Sequence, residues 1–203
     1  MRRLLALALA LCGVAQAQAP SSQLDMAVTP AWGGWSRAER PTEVDVRLTS
    51  GQPTRVTLTM QAGQQTVTTE LALQTGQPAR VQLPIGAADA ITAQARAADG
   101  REVRQTIELK RSASPLLGVA LTGGGTLALQ GFHAMSLGAA DLPRQAAAYA
   151  TVDALVLDAR LLPMLDTRQT TALLGHAATC GRIVVLNAEA PVRQLLAAGG
   201  GCG

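Results

Sequence analysis

The hydrophobic rhythm of this 203-residue chain changes once, near residue 113, and that change limits the folds open to it more than any other feature. From residue 24 to residue 109 apolar side chains recur at every second position. Glu43-Val44-Asp45-Val46-Arg47-Leu48-Thr49 and Arg55-Val56-Thr57-Leu58-Thr59-Met60 show the alternation of strands with one buried face. Further strands are predicted over 24–28, 65–73, 80–84, 91–97 and 103–109. Between them lie Ser50-Gly51-Gln52-Pro53, Ala62-Gly63, Thr75-Gly76-Gln77-Pro78 and Asp99-Gly100, the chemistry of hairpin turns. About seven short strands without an intervening helix predict an immunoglobulin-like β-sandwich over 22–111.

Ser112-Ala113-Ser114-Pro115 reads as a joint, and the pattern after it is that of an α/β chain. Apolar runs over 116–121, 131–137, 152–158 and 182–186 suit strands covered on both faces. Helices are predicted over 142–149, 167–179 and 191–198; Asp166 or Thr167 caps the second, and Cys180-Gly181 ends it with glycine just past the last turn. Alternating strands and helices predict a small three-layer α/β domain with a parallel sheet over 115–198, followed by a Gly-rich tail, 199–203.

The N-terminus carries an address. Met1-Arg2-Arg3 precedes an apolar stretch over 4–14, and Ala15-Gln16-Ala17 supplies small residues at the −3 and −1 positions of a signal-peptidase site. Residues 1–17 are therefore expected to be a signal peptide cut after Ala17, giving a periplasmic or secreted product. The stretch is short of the roughly 18 residues that span a bilayer, and no later segment approaches that length, so no stable membrane span is expected after cleavage. Lipidation at Cys12 is disfavoured by bulky Leu11 before it. Loss of the leader removes Arg2 and Arg3 and leaves 15 basic against 14 acidic residues. Apart from the adjacent Lys110 and Arg111 the basic residues of the mature chain are scattered singly, and aromatic residues make up only 2% of the chain: Trp32, Trp35, Phe132 and Tyr149. Base-stacking and sugar-stacking surfaces need more π faces than this, so no nucleic-acid partner is expected.

Of the three cysteines, Cys180 and Cys202 survive cleavage in an oxidising compartment, where they can pair, remain free thiols or bond to another chain. Pairing would close a loop of about 20 residues and contribute on the order of 3 kcal/mol by the loop-entropy model.

Asp153-Ala154-Leu155-Val156-Leu157-Asp158, then Leu165, Gln169 and Ala172-Leu173-Leu174, then Gly181-Arg182-Ile183-Val184-Val185 resembles part of the class I glutamine-amidotransferase-like, flavodoxin-like fold. Gly33-Gly34-Trp35 and Pro41-Thr42-Glu43-Val44 resemble the N-terminal β domain of exported bacterial proteins that couple a sandwich to such a domain. The resemblance covers about two thirds of the chain. It implies a shortened, non-catalytic relative. Gly200-Gly201-Cys202-Gly203 imitates part of a nucleophile elbow, but a helix rather than a strand is predicted before it, and His133 and His176 both precede it, so the thiol lacks the following base that would activate it.

No complete catalytic, cofactor or metal constellation emerges. Gly123, Gly124 and Gly125 follow an apolar strand and could cradle an anion, but they lack the lysine of a P-loop and suit a plain turn. Asp158, at the carboxyl end of a parallel strand, stands where open α/β sheets place ligand groups, although capping is the commoner task of such aspartates. Asp141, Asp153 and Asp166 read as loop or cap residues, and His133 and His176 lie without metal-ligand spacing. Trp32 and Trp35 are expected to pack the edge of the sandwich. There is no G-x-S-x-G elbow. The expectation is a non-enzymatic interaction or scaffold protein with a cell-envelope protein as partner. The alternatives are a small-ligand module at the carboxyl ends of the parallel strands, or an amidotransferase-like hydrolase using Cys202 or Asp158.

Overall fold

The structure, a computed structural model, describes residues 23–190. The expected signal peptide, the helix over 191–198, the 199–203 tail and Cys202 lie outside the described residues. The fold is mostly β, with four sheets and few helices.

The N-terminal part contains β1 (Leu24–Pro30), β2 (Trp35–Arg37), β3 (Thr42–Ser50), β4 (Thr54–Ala62), β5 (Gln65–Leu73), β6 (Ala79–Ile85), β7 (Ala90–Ala97), β8 (Glu102–Glu108) and β9 (Lys110–Ser112). Two antiparallel sheets, in the orders β1-β3-β6 and β5-β4-β7-β8, hold the long strands. Their inward residues meet in one aliphatic core: Val44, Val46 and Leu48 from one sheet, Val56, Leu58, Met60 and Ile91 from the other. Each large aliphatic side chain buried there contributes about 1.5–3 kcal/mol. Gly63 shows how the register is set. Ala62 pairs with Gln65 across a two-residue turn, and Gly63 takes a φ of +57° there, which a side chain would oppose.

The C-terminal part contains β10 (Leu116–Ala120), β11 (His133–Leu137), β12 (Ala154–Asp158), α1 (Thr167–Ala178) and β13 (Ile183–Leu186). The four strands form a wholly parallel sheet in the order β11-β10-β12-β13. The order reverses between β10 and β12, so the chain leaves β10 in one direction for β11 and returns in the other for β12 and β13. Right-handed crossovers then place the first connection on one face and the later ones on the opposite face. Packing agrees with this. Leu116, Met135, Leu155 and Leu157 face α1 and its Ala172 and Leu173, whereas Leu117, Val119 and Val156 face Leu121 and Phe132 of the 121–132 connection.

Asp166 caps α1 as expected. Its carboxylate accepts from the Gln169 backbone N–H at 2.9 Å, and the Gln169 side chain returns the bond to the Asp166 N–H at 3.0 Å. The other end differs from expectation. The left-handed position falls on Cys180, at φ +63°, rather than on Gly181. Gly181 is needed for another reason, since a Cβ there would sit 2.2 Å from the His176 ring. The bonds from Gly181 N to His176 O and from Cys180 N to Ala177 O complete a Schellman end.

The helix expected over 142–149 is replaced by an extended entry and a 3-10 helix, Ala146–Thr151. Pro143 lacks an N–H, and the Arg144 and Gln145 amides donate to the Glu43 carboxylate rather than to a helical ladder. The Leu142 carbonyl is taken by the Gln169 side chain. Trp32 is also a correction. It belongs to the second core, fully buried, and lies edge-on to Tyr149 at 5.2 Å with its indole N–H on the Ala148 carbonyl at 2.9 Å. Gly118 makes room for it, because a Cβ there would come within 3.4 Å of the indole and closer still to Leu155 and Leu137. Trp35 likewise packs against His133, with ring centres 4.1 Å apart and planes tilted by 46°, and β2 and β9 pair in parallel.

Candidate functional site

The carboxyl ends of β10, β12 and β13 converge where the strand order reverses, the crevice in which open parallel sheets bind ligands. Asp158 ends β12 there and is 2% exposed. Its Oδ2 accepts from the Thr122 hydroxyl at 2.5 Å and from Arg160 Nη2 at 2.6 Å. Its Oδ1 accepts from the Arg160 backbone N–H at 3.0 Å and from Asn187 Nδ2 at 3.3 Å. The Arg160 guanidinium, followed by the Thr122 hydroxyl, holds this carboxyl far below the usual carboxylate range. Asp158 therefore ties three strand ends together through its bonds to Thr122, Arg160 and Asn187. Its lone pairs face the protein's own donors, so it has the properties of a clamp rather than of a proton-transfer group.

Gly123 and Gly124, at φ +88° and +72°, turn the chain outward just beyond Thr122, and Gly125 lies against Leu121. The three glycines thus follow directly on the Thr122 that bonds Asp158. Beside it, Ala159, Arg160, Leu162, Pro163, Asn187 and Glu189 line an open cleft of about 280 Å³. The Arg160 side chain is 64% exposed at its edge.

A second constellation, which the sequence does not announce, lies where the two parts of the chain meet. Glu43 is buried on the outward face of β3 and accepts from the Gln145 backbone N–H at 2.7 Å and the Arg144 N–H at 3.0 Å. Burial pushes its carboxyl up, against the pull of those amides and of the Arg144 charge. The Arg144 guanidinium bonds Asp166 at 2.7 Å and Asp45 at 3.4 Å, and Arg80 reaches Asp45 at 3.0 Å. Glu43, Asp45, Arg80 and Arg144 border a cavity of about 180 Å³. Across the same seam Asp153 accepts from Arg37, from Arg40 at 3.0 Å and from the Leu116 N–H at 2.8 Å. Thr151 donates to the Pro41 carbonyl, and Gln145 Nε2 to the Gln82 carbonyl at 3.1 Å. No local signal marks these partners: Glu43 and Asp45 occupy the polar positions of an alternating strand, which read as solvent-facing.

The remaining candidates are dispersed. His133 lies on Trp35, and His176 lies on Tyr149 with ring centres 5.1 Å apart, where burial lowers its pKa. Asp141 bonds the Gly138 N–H at 2.8 Å. Among the described residues no three His, Cys, Asp or Glu side chains gather as a metal site would require. Cys180 is disulfide-bonded, and Cys202 lies outside the described residues. No described helix is long and apolar enough to cross a membrane.

No family model matches the chain, and no curated protein matches it. Solved structures overlap parts of it. The superoxide reductase (neelaredoxin) of Ignicoccus hospitalis overlaps 43% of this chain and 80% of its own, at 13% identity and a TM-score of 0.30. A cycloisomaltooligosaccharide glucanotransferase of Paenibacillus sp. overlaps 64% of this chain but 19% of its own, at 13% identity and a TM-score of 0.31. The β-glucosidase of Kluyveromyces marxianus overlaps 45% and 16%, at 8% identity and a TM-score of 0.25.

Proposed function

We propose that this is an exported, non-enzymatic interaction or scaffold protein of a bacterial cell envelope. In this reading an immunoglobulin-like sandwich is followed by an α/β domain of the glutamine-amidotransferase-like, flavodoxin-like kind. The observation that carries it is the Asp158 clamp. At the one place where such a sheet ordinarily presents chemistry, the carboxylate is consumed by Thr122, Arg160 and Asn187. The polar seam from Arg37 to Asp166 supports the same reading, since it locks both parts into one presenting surface.

The test is residue-specific photocrosslinking in the native host, with the photoreactive residue at Leu129 and, separately, at Thr66 on the opposite part. The expected result is mature protein beginning at Gln18 in the periplasmic fraction, joined from one of these positions to a defined envelope protein. Retention of the precursor in the cytoplasm, or absence of any adduct from both positions, overturns the proposal.

A small-ligand module is the second reading, favoured by the open cleft beside Arg160 and Asn187. A ligand selective for the native state must raise its melting temperature, so a thermal-shift screen with anionic metabolites separates the two readings. Stabilisation lost in Arg160→Ala would support the module.

A further inference from the structure

Arginines that stand far apart in the sequence are gathered by the fold at one place on the seam. Arg47 and Arg80 lie directly opposite one another on β3 and β6, Arg144 comes from the extended entry to the 3-10 helix, and Arg168 from the first turn of α1. Arg80, Gln82, Arg144, Asp166 and Arg168 line an open cleft of about 400 Å³. Arg47 and Arg80 border a smaller one of about 170 Å³. Like charges set directly opposite in a sheet repel, so the Arg47–Arg80 pairing carries a cost that a bound anion removes.

The carboxylates nearby leave donors over. Arg80 Nε lies 3.0 Å from Asp45, and Arg144 offers Nε to Asp166 at 2.7 Å and Nη1 to Asp45 at 3.4 Å. The third carboxylate, Glu43, is taken by the Arg144 and Gln145 backbone amides. Both terminal nitrogens of Arg80 and Nη2 of Arg144 have no partner among the described residues. Arg47 and Arg168 make no ion pair there, and the one bond of the Arg168 side chain runs from Nη1 to the neutral Gln82 Oε1 at 3.2 Å. Gln82 Nε2 is buried without a partner, an orphaned donor whose cost an acceptor oxygen relieves.

We propose that this cleft, between β6 and the start of α1, binds a phosphomonoester. Unpaired guanidinium forks with an excess of positive charge are complementary to an oxyanion that has many acceptors. A phosphomonoester brings about 1.5–2 negative charges near pH 7 and three acceptor oxygens, more than a carboxylate can offer to three arginines. The site shares no residue with the cleft beside Arg160 and does not depend on export. It needs both parts of the chain, since Arg80 belongs to the antiparallel part and Arg144 and Arg168 to the other.

Titration calorimetry of the purified chain with glycerol 3-phosphate tests the site, with acetate as the singly charged competitor. The expected result is saturable one-to-one binding that acetate at equal concentration does not displace. Arg168→Gln and Arg80→Gln are each expected to weaken it about tenfold or more, the loss of a hydrogen-bonded charge. Arg104→Gln removes the same charge from an exposed position on β8 and is expected to leave binding unchanged. Equal weakening by Arg104→Gln and Arg168→Gln overturns the proposal, because net charge alone would then be read, and so does displacement by acetate. In the native chain, where no substitution can disturb folding, amide resonances around Gln82 and Arg168 are expected to shift with glycerol 3-phosphate, and shifts confined to other regions overturn the site. Phosphatidylcholine vesicles containing phosphatidic acid present the same group on a surface. Vesicle binding that Arg168→Gln weakens, without binding of glycerol 3-phosphate, supports the site and assigns its phosphate to a lipid headgroup; binding of glycerol 3-phosphate assigns it to a soluble ligand. Failure of both probes to bind overturns the proposal.

Discussion

The two parts of this chain solve the same problem of burying a sheet in different ways. The antiparallel part is self-sufficient: residues from β3, β4 and β7 meet in one aliphatic core, and its large apolar side chains are covered. The parallel part is not. It borrows Trp32 from the other part to fill its core and leaves Val184 and Leu186 on an open strip. A strand buried on one face needs one cover, and strict alternation supplies it locally; a strand buried on both faces needs two, and here one of them comes from about eighty residues away in sequence.

Emptying each core in turn is the strongest way to break this comparison. Trp32→Ala should cost about 3–5 kcal/mol and raise hydrogen exchange in β12 before β4, whereas Leu58→Ala, at about 2–5 kcal/mol, should do the reverse. Matching exchange profiles from both variants would show that the parts unfold as a single unit and that the contrast has no energetic meaning. Glu43→Ala should come next. It strands the Arg144 and Gln145 amides at the seam and should cost about 1–3 kcal/mol by urea denaturation, with Arg144 and Gln145 amide exchange rising first.

Acid sharpens the comparison further, because the seam holds groups of opposite sense. Burial raises the pKa of Glu43, so the folded chain binds that proton more tightly than the unfolded chain does. The stability it contributes is fully present below the unfolded value near 4.5 and is lost as pH rises through the raised value. Asp153 and Asp166 run the other way: burial opposes their charge, but backbone amides and the Arg37, Arg40 and Arg144 guanidiniums outweigh it. Their contribution is present above 3.8 and is lost as pH falls through the depressed values. Glu43→Gln should therefore flatten the loss of stability with rising pH just above pH 4.5 while leaving the steeper acid limb intact, as read from melting temperature against pH. The smallest effect is expected at the solvent face of the antiparallel part. Thr59→Ala, which removes the hydroxyl contact to Thr68, should change stability by about 0.2–1 kcal/mol without moving exchange in the parallel part.

Legibility in the sequence followed the same divide. The strands of the antiparallel part could be read because their signal is local: Val44, Val46 and Leu48 alternate with Glu43, Asp45 and Arg47. The helix after Asp166 was equally plain, since cap and reciprocating Gln169 lie within one turn. What escaped was carried by partners far apart in the chain. Trp32 sits in a three-residue 3-10 turn with no period to read, and the polar face of β3 looks like any solvated face until Arg144 and Gln145 are laid against it. The segment over 142–149 fails as a helix for the same reason, because its amides and carbonyl are claimed by Glu43 and Gln169. Asp158 was found at its expected end of the strand, but its saturation by Thr122 and Asn187 required residues 36 and 29 positions away.

The indole that crosses from one part to the other has a consequence for the order in which the protein matures. Trp32 emerges early in synthesis and has no finished pocket until Tyr149, Leu155 and Leu157 have followed it. A chain divided at residue 113 would give one fragment with an uncovered indole and another with a hole of matching shape. Such halves would carry a built-in attraction for one another, and their reassembly would report, without any substrate, when this protein has found its native form.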